Sequence, residues 1–179
     1  IEEALGIAGR LSNSDRAYTL ILEKESNNLL LQFTWVEEGI PSFKEEIKFI
    51  PIDLLKPIQD ELLKNKFVNL THTKEYPENH PFKSLLTLFQ IQDMVMVPIM
   101  DNQNILGITG FAKVRKDIPY TESELIPLQI VSEIISNTLV KQATETLLKE
   151  SEEENRKVFH NLSTGIIYQD RTGKIIKAN

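Results

Sequence analysis

The chain has 179 residues, 41% of them hydrophobic and 26% charged, and its 26 acidic side chains outweigh 20 basic ones to leave a net charge of -6. This balance suits a water-compatible globular chain with room for one ordinary domain and an appendage; no window concentrates Lys or Arg among aromatics, which excludes nucleic acid and anionic membrane surfaces as electrostatic partners. The complete lack of Cys excludes disulfides, thiolate metal sites, thiol catalysis and thioether-linked chromophores within the chain.

Residues 3–12 have helical spacing at Leu5, Ala8 and Leu11 and end at the SNSD cluster, a natural helix stop. The runs 17–23 and 29–36, separated by KESNN, form a hairpin, and a period of two puts Leu29, Leu31, Phe33 and Trp35 on one face. Residues 40–50 are a polar connection. PIQDELLKNK from Pro57 is a helix with Pro in its first turn and Ile58, Leu62 and Leu63 turned inward, and FVNL is a short strand. THTKEYPENHPFKSLLTLF begins as a loop and ends as a helix; a loop of this length in a small domain is more often functional than accidental.

MVMVPIMDNQNILGITGFAK is a second hairpin with its turn at DNQN. Met94 and Met96 share one face of its first strand. In its second, Gly107 and Phe111 alternate with Ile108, Gly110 and Ala112, and the small residues predict a helix packed closely there. A long helix follows from Thr121 as N-cap, with Glu124 at the capping-box position. The order of elements predicts an α+β design: an antiparallel sheet with helices on one face and loops and short helices over the other, followed by a long C-terminal helix. No apolar run approaches the roughly 18 residues of a membrane span and no signal-peptide pattern is present, so a cytoplasmic location without membrane contact is expected.

The segments LSNSDRAYTLIL, FTWVEEGI, VPI within MVMVPIM, ILGITGFAK and YTESELIPLQIVSEIISNTLV, in that order and spacing, resemble a GAF domain of bacterial and archaeal multi-domain signalling proteins, over residues 1–143. One departure is that Ala112 and Lys113 follow Phe111 where two carboxylates often stand. The tail, ESEEENRKVFHNLSTGIIYQDRTGKIIKAN, resembles the first helix and first two strands of a PAS domain. Its DRTG turn suits Gly173 at positive φ, and Ile166, Ile167, Ile175 and Ile176 are apolar residues prepared for a sheet. The resemblance thus implies a GAF domain at 1–143, a helical linker at 144–157 and a truncated PAS fragment at 158–179.

GAF domains that bind small molecules do so between the sheet and the loop-plus-helix lid, which makes Tyr18, Phe33, Trp35, Met94, Met96 and Phe111 the ligand-pocket candidates. The same side chains fill a core equally well. His72 and His80 share the long loop with Glu75 and Glu78; His-x7-His beside carboxylates can supply metal ligands, but loop spacing is not diagnostic, and the residues are read as solvated with no metal assigned. Asp15 and Arg16 are read as a helix stop and an ion pair at the sheet's edge. NKF at 65–67 lacks the Asp-Glu pair of cyclic-nucleotide GAF domains, the bilin-attaching and sulfoxide-reducing members rely on Cys, and there is no Gly-rich phosphate loop. The cofactor is therefore unknown, and no catalytic constellation is present to give this chain an activity.

On the long helix, Leu128, Val131, Ile135, Leu139, Ala143 and Leu147 form one stripe. Its first part can pack on the sheet; past about residue 140 it is expected to pair with the same helix of a second chain. The resemblance implies a sensory module that binds a small ligand or senses a signal and passes it through a dimeric helix to a PAS domain and an output such as a histidine kinase or diguanylate cyclase. The alternative is a ligand-free dimerisation scaffold in the same kind of protein.

Overall fold

The computed structural model describes residues 1–23, 25–42, 47–102, 104–161 and 167–178. Helix α1 (Glu2–Leu11) leads into strands β1 (Arg16–Glu23) and β2 (Asn28–Val36). A short strand β3 (Phe49–Pro51) runs into a 3-10 turn (Ile52–Ile58) that tightens into α2 (Gln59–Asn65), and β4 (Val68–Leu70) follows. After a second 3-10 turn (Thr73–Glu75) come α3 (Lys83–Leu88), β5 (Asp93–Asp101), β6 (Asn104–Lys113) and α4 (Glu122–Asn161). Two small strands, β7 (Ile167–Gln169) and β8 (Ile175–Ala178), close the described chain.

Strands β1–β6 form one sheet in the order β3-β2-β1-β6-β5-β4, with every neighbouring pair antiparallel. β3 lies in what the sequence reads as a polar connection; it is only three residues long and pairs with β2 through Leu29 and Ile50. The chain divides into two compact units, residues 1–137 and 138–179.

A single extra residue decides which face of β2 is which. Thr19 pairs with Phe33 but Leu20 pairs with Leu31, so Gln32 is a bulge. Because side chains alternate with period two, one inserted residue inverts the alternation beyond it. Leu29 and Leu31 therefore share a face with their partners Leu22 and Leu20, whereas Phe33 and Trp35 share the opposite face with Thr19 and Ala17. The expectation of one continuous Leu29–Leu31–Phe33–Trp35 face is corrected here.

Each face carries its own core. Tyr18, Leu20, Leu29, Met96, Ile108 and Ala112 cluster with Leu55, Ile58 and Leu62 and with Phe82, Leu86 and Phe89 around α3. On the other face Ala17, Val95 and Phe111 are buried, as are Leu5 and Ala8 of α1 and Leu128 and Ile135 of α4. Gly9 of α1 allows close contact with β2: a Cβ placed there would lie 2.2 Å from the Trp35 ring. The space over Gly110 is taken by the Met94 methyl, 2.6 Å from where a Cβ would stand, so a side chain and not a helix covers the small residue of β6.

The start of α4 is a formed capping box. The Thr121 N–H donates to Glu124 Oε2 at 2.9 Å and the Glu124 N–H to Thr121 Oγ1 at 3.4 Å, satisfying two helix-end donors reciprocally. Leu128 and Ile135 are fully buried, while Ala143 and Leu147 are exposed. Near the C-terminus, the β7–β8 ribbon turns at Asp170–Gly173, where Gly173 has φ +84 and Asp170 Oδ1 accepts the Thr172 and Lys174 N–H groups at 2.8 and 3.0 Å. Ile166 lies outside the described residues.

Candidate functional site

The first candidate site is an apolar cavity of about 80 Å³ between the sheet and α3. Its floor is Tyr18, Leu20, Leu29, Leu31, Met94, Met96 and Ile108; its roof is Phe82, Leu85, Leu86, Phe89 and Ile91, with Ile47, Ile50, Leu54 and Leu55 at one side. The roof forms because Phe82, Leu85, Leu86 and Phe89 recur at helical spacing and turn one face of α3 to the sheet. Tyr18 brings the one side-chain hydroxyl of that lining. Burial pushes its phenol pKa up, and the nearby Arg16 guanidinium partly opposes that rise.

Of the six pocket candidates, Tyr18, Met94 and Met96 line this cavity. Phe33, Trp35 and Phe111 lie on the other face of the sheet, opposite Thr19, Ala17 and Ala17 respectively. The Gln32 bulge moves the first two there; Phe111 is there because it stands one residue out of phase with Gly110 and Ala112. Trp35 is packed on Gly6 and Gly9 of α1, with the Arg10 guanidinium 5.8 Å from its ring centre. The helix and a loop-plus-helix lid were expected from the sequence; the residues that form its underside, Phe82, Leu85, Leu86 and Phe89, were not among the candidates, although the apolar spacing in FKSLLTLF signals them.

At the start of β1 the DR pair is buried and structural in its contacts. Asp15 accepts the Val114 and Arg115 N–H groups at 2.7 and 3.0 Å and the Arg115 Nε–H at 2.6 Å. Arg16 is fully buried and donates from Nη1 to the Phe89 carbonyl at 2.8 Å, fastening the C-terminal end of the roof to β1. Nearby, Lys113 Nζ reaches Glu124 Oε2 at 3.1 Å, and Asn13 Nδ2 donates to Glu124 Oε1 at 2.8 Å. Burial alone would raise the Glu124 carboxyl, but hydrogen bonds from Asn13, the Thr121 backbone and Lys113, with the lysine's charge, hold it down at about 2. These groups border an open polar cleft of about 560 Å³, where Lys113 and Arg115 are already paired with Glu124 and Asp15.

The two loop histidines have different surroundings. His80 contacts the Tyr76 and Phe82 rings, with centroids 4.2 and 5.9 Å away and ring planes tilted by 47° and 43°. His72 sits in the left-handed region at φ 50, its N–H donates to Asp93 Oδ1 at 3.2 Å, and its Nδ1 is 3.0 Å from Asp117 Oδ1. One imidazole and two carboxylates thus converge, with one potential ligand atom from each within 4.8 Å of the others. Asp93 is completely buried, and burial, opposed in part by the His72 N–H and reinforced by the Asp117 charge, raises its carboxyl pKa. Neither aspartate was singled out in the sequence; the available signal was an acidic residue opening the otherwise apolar run DMVMVPIM.

No helix of the described residues is long and apolar enough to cross a membrane. No curated protein matches this chain. Among solved structures it is similar to the blue-light absorbing form of the PixJ GAF domain of Thermosynechococcus elongatus, with a TM-score of 0.66 at 13% identity over 86% of this chain and 90% of that one. It is similar to the phycocyanobilin-bound GAF domain of a cyanobacterial phytochrome, TM-score 0.67 at 15% identity, over 81% of this chain and 85% of that one. The chromophore-binding domain of the Stigmatella aurantiaca bacteriophytochrome gives a TM-score of 0.62 at 12% identity, over 78% of this chain and 52% of that one. Those identities speak for the shared fold alone. The model of the GAF domain family matches residues 1–139, the span that holds the six-stranded sheet, both cores and the start of α4, and this chain belongs to the GAF domain family.

Proposed function

We propose that this chain is a regulatory sensor module: the cavity under α3 takes a small apolar ligand, and the change in how α3 packs reaches α4. The carrying observation is a cavity walled almost entirely by hydrocarbon beneath a helix of only six residues. So short a helix has little stability of its own and depends on its packing, which makes it the movable wall. A volume of about 80 Å³ is well below the roughly 300 Å³ of a metabolite-sized site, so α3 must swing outward for such a ligand. A ligand shifts that equilibrium only by its differential affinity for the two positions. Two of the similar domains above are described as phycocyanobilin-bound and chromophore-binding; this chain has no Cys for a thioether, and a ligand here is held by packing.

In this reading residues 144–157 are a helical linker and 158–179, by their resemblance, the opening of a PAS-type module; α4 mediates a homodimer and passes the change toward a histidine kinase or diguanylate cyclase output in the cytoplasm. The second reading, a ligand-free dimerisation scaffold, is favoured by the same small volume, since side chains already fill most of the space. Native mass spectrometry and thermal melts of the chain equilibrated with cell extract separate the two. The sensor reading expects a retained apolar compound and a rise in Tm that Leu86→Trp abolishes by filling the cavity. If no extract component is retained and the melting temperature does not move, the scaffold reading stands and the sensor reading falls.

A further inference from the structure

From the convergence of His72, Asp93 and Asp117 we infer that this chain carries a divalent-cation site of the zinc or manganese class, separate from the cavity under α3. The three donors come from three places in the chain: His72 just after β4, Asp93 at the first position of β5, and Asp117 in the stretch between β6 and α4. Potential ligand atoms within 4.8 Å of one another, with two of them already at 3.0 Å, need only a small contraction. Donors held about 2.0–2.2 Å from a zinc ion stand roughly 3.0–3.6 Å apart.

The independent sign of a missing partner is on Asp93. Its Oδ1 accepts the His72 N–H, but Oδ2 is buried and has no hydrogen-bond partner. A buried carboxylate oxygen without a partner carries a large desolvation cost unless a cation or donor meets it. The residue across the ladder from Asp93 is Lys113, which could have served, yet its ammonium is spent on Glu124 at 3.1 and 3.3 Å. A cation between Asp93, Asp117 and the His72 ring replaces the His72–Asp117 contact with metal bonds to both and brings two positive charges to two carboxylates. One imidazole nitrogen with two carboxylate oxygens suits zinc, manganese or ferrous iron, whereas magnesium and calcium prefer oxygen alone. Water completes the coordination on the exposed side, where His72 and Asp117 face solvent. Because Asp117 precedes α4 by only a few residues, the bound cation ties the approach to that helix to the start of β5.

The test is titration of the chain, stripped of metal with a chelator, with zinc chloride and separately with magnesium chloride, read by calorimetry and by melting temperature. Zinc should saturate at one equivalent and raise Tm, magnesium should bind much more weakly, and amide exchange in residues 114–121 should slow when zinc is added. Asp117→Asn and His72→Asn should each weaken zinc binding at least about tenfold, while His80→Asn leaves it unchanged. Asp93→Asn should abolish it; because that position is buried and the variant could fold poorly, the exposed Asp117→Asn carries the decision. Zinc binding of the same affinity in Asp117→Asn and His72→Asn, or no saturable binding to the unsubstituted chain, overturns the site.

Discussion

Glu124 is the residue on which most local structure converges. It closes the α4 capping box, pairs with Lys113 and receives Asn13, so one carboxylate joins α1's exit, the end of β6 and the start of α4. Glu124→Gln keeps the shape and removes the charge, and should destabilise the chain by about 2 kcal/mol at neutral pH, the scale of hydrogen bonds to a charged group. The sign of its pH dependence follows from a folded-state pKa held down at about 2 from an ordinary 4.5. The contribution is complete above about pH 5 and disappears as pH falls from 4.5 toward 2. Urea denaturation across that window should show the unsubstituted and Gln chains converging; a constant gap down to pH 2 would contradict the assignment. The capping box was legible in the sequence as T-x-x-E, because a cap is made within one turn. The Lys113 and Asn13 contacts were not, since they join residues 11 and 111 positions away.

At the scale of elements, the bulge at Gln32 has the largest consequence. The strand, its partner and its turn could all be read from alternation and turn chemistry; one unpaired residue could not, because both sides of the bulge show the same alternating apolar pattern. It hands Leu29 and Leu31 to the cavity and Trp35 to α1, and Gly6 and Gly9 then make room for the indole. Gly9→Ala tests this packing. Helix propensity alone favours Ala by about 1 kcal/mol, but a Cβ at 2.2 Å from a ring atom must displace a rigid aromatic, which costs about 1–3 kcal/mol. Net destabilisation is expected, and it should reverse to stabilisation in a Trp35→Leu background, as a double-mutant cycle of denaturation midpoints would reveal. An Ala that stabilises the chain with Trp35 in place would refute the contact.

For the whole molecule, the disposition of α4 bears on the proposed homodimer. The stripe expected from the sequence splits: Leu128 and Ile135 are 0% and 1% exposed and belong to the domain's own core, whereas Ala143 and Leu147 are exposed. A different row, Ile126, Ile130 and Ile134, is 53–57% exposed at four-residue spacing, one face of a helix. Extending the homodimer interface, expected past about residue 140, to this row predicts that Ile130→Glu weakens self-association at least tenfold in sedimentation equilibrium while Tm changes by less than about 2 °C. Unchanged self-association would remove this face from the interface.

The sequence by itself determined what local rules can carry. A helix had to run up to the SNSD cluster, the two hairpins had to turn where they do, α4 had to begin just after Thr121, and the ordered motifs pointed to the family. Each follows from side-chain periodicity or turn chemistry over a few residues. Only the tertiary structure decided which face of each strand meets which layer, that α3 roofs the cavity, and that His72 meets Asp93 and Asp117. Those outcomes depend on a single register shift and on strands brought together from distant parts of the chain, and neither leaves a mark in the local pattern of residues.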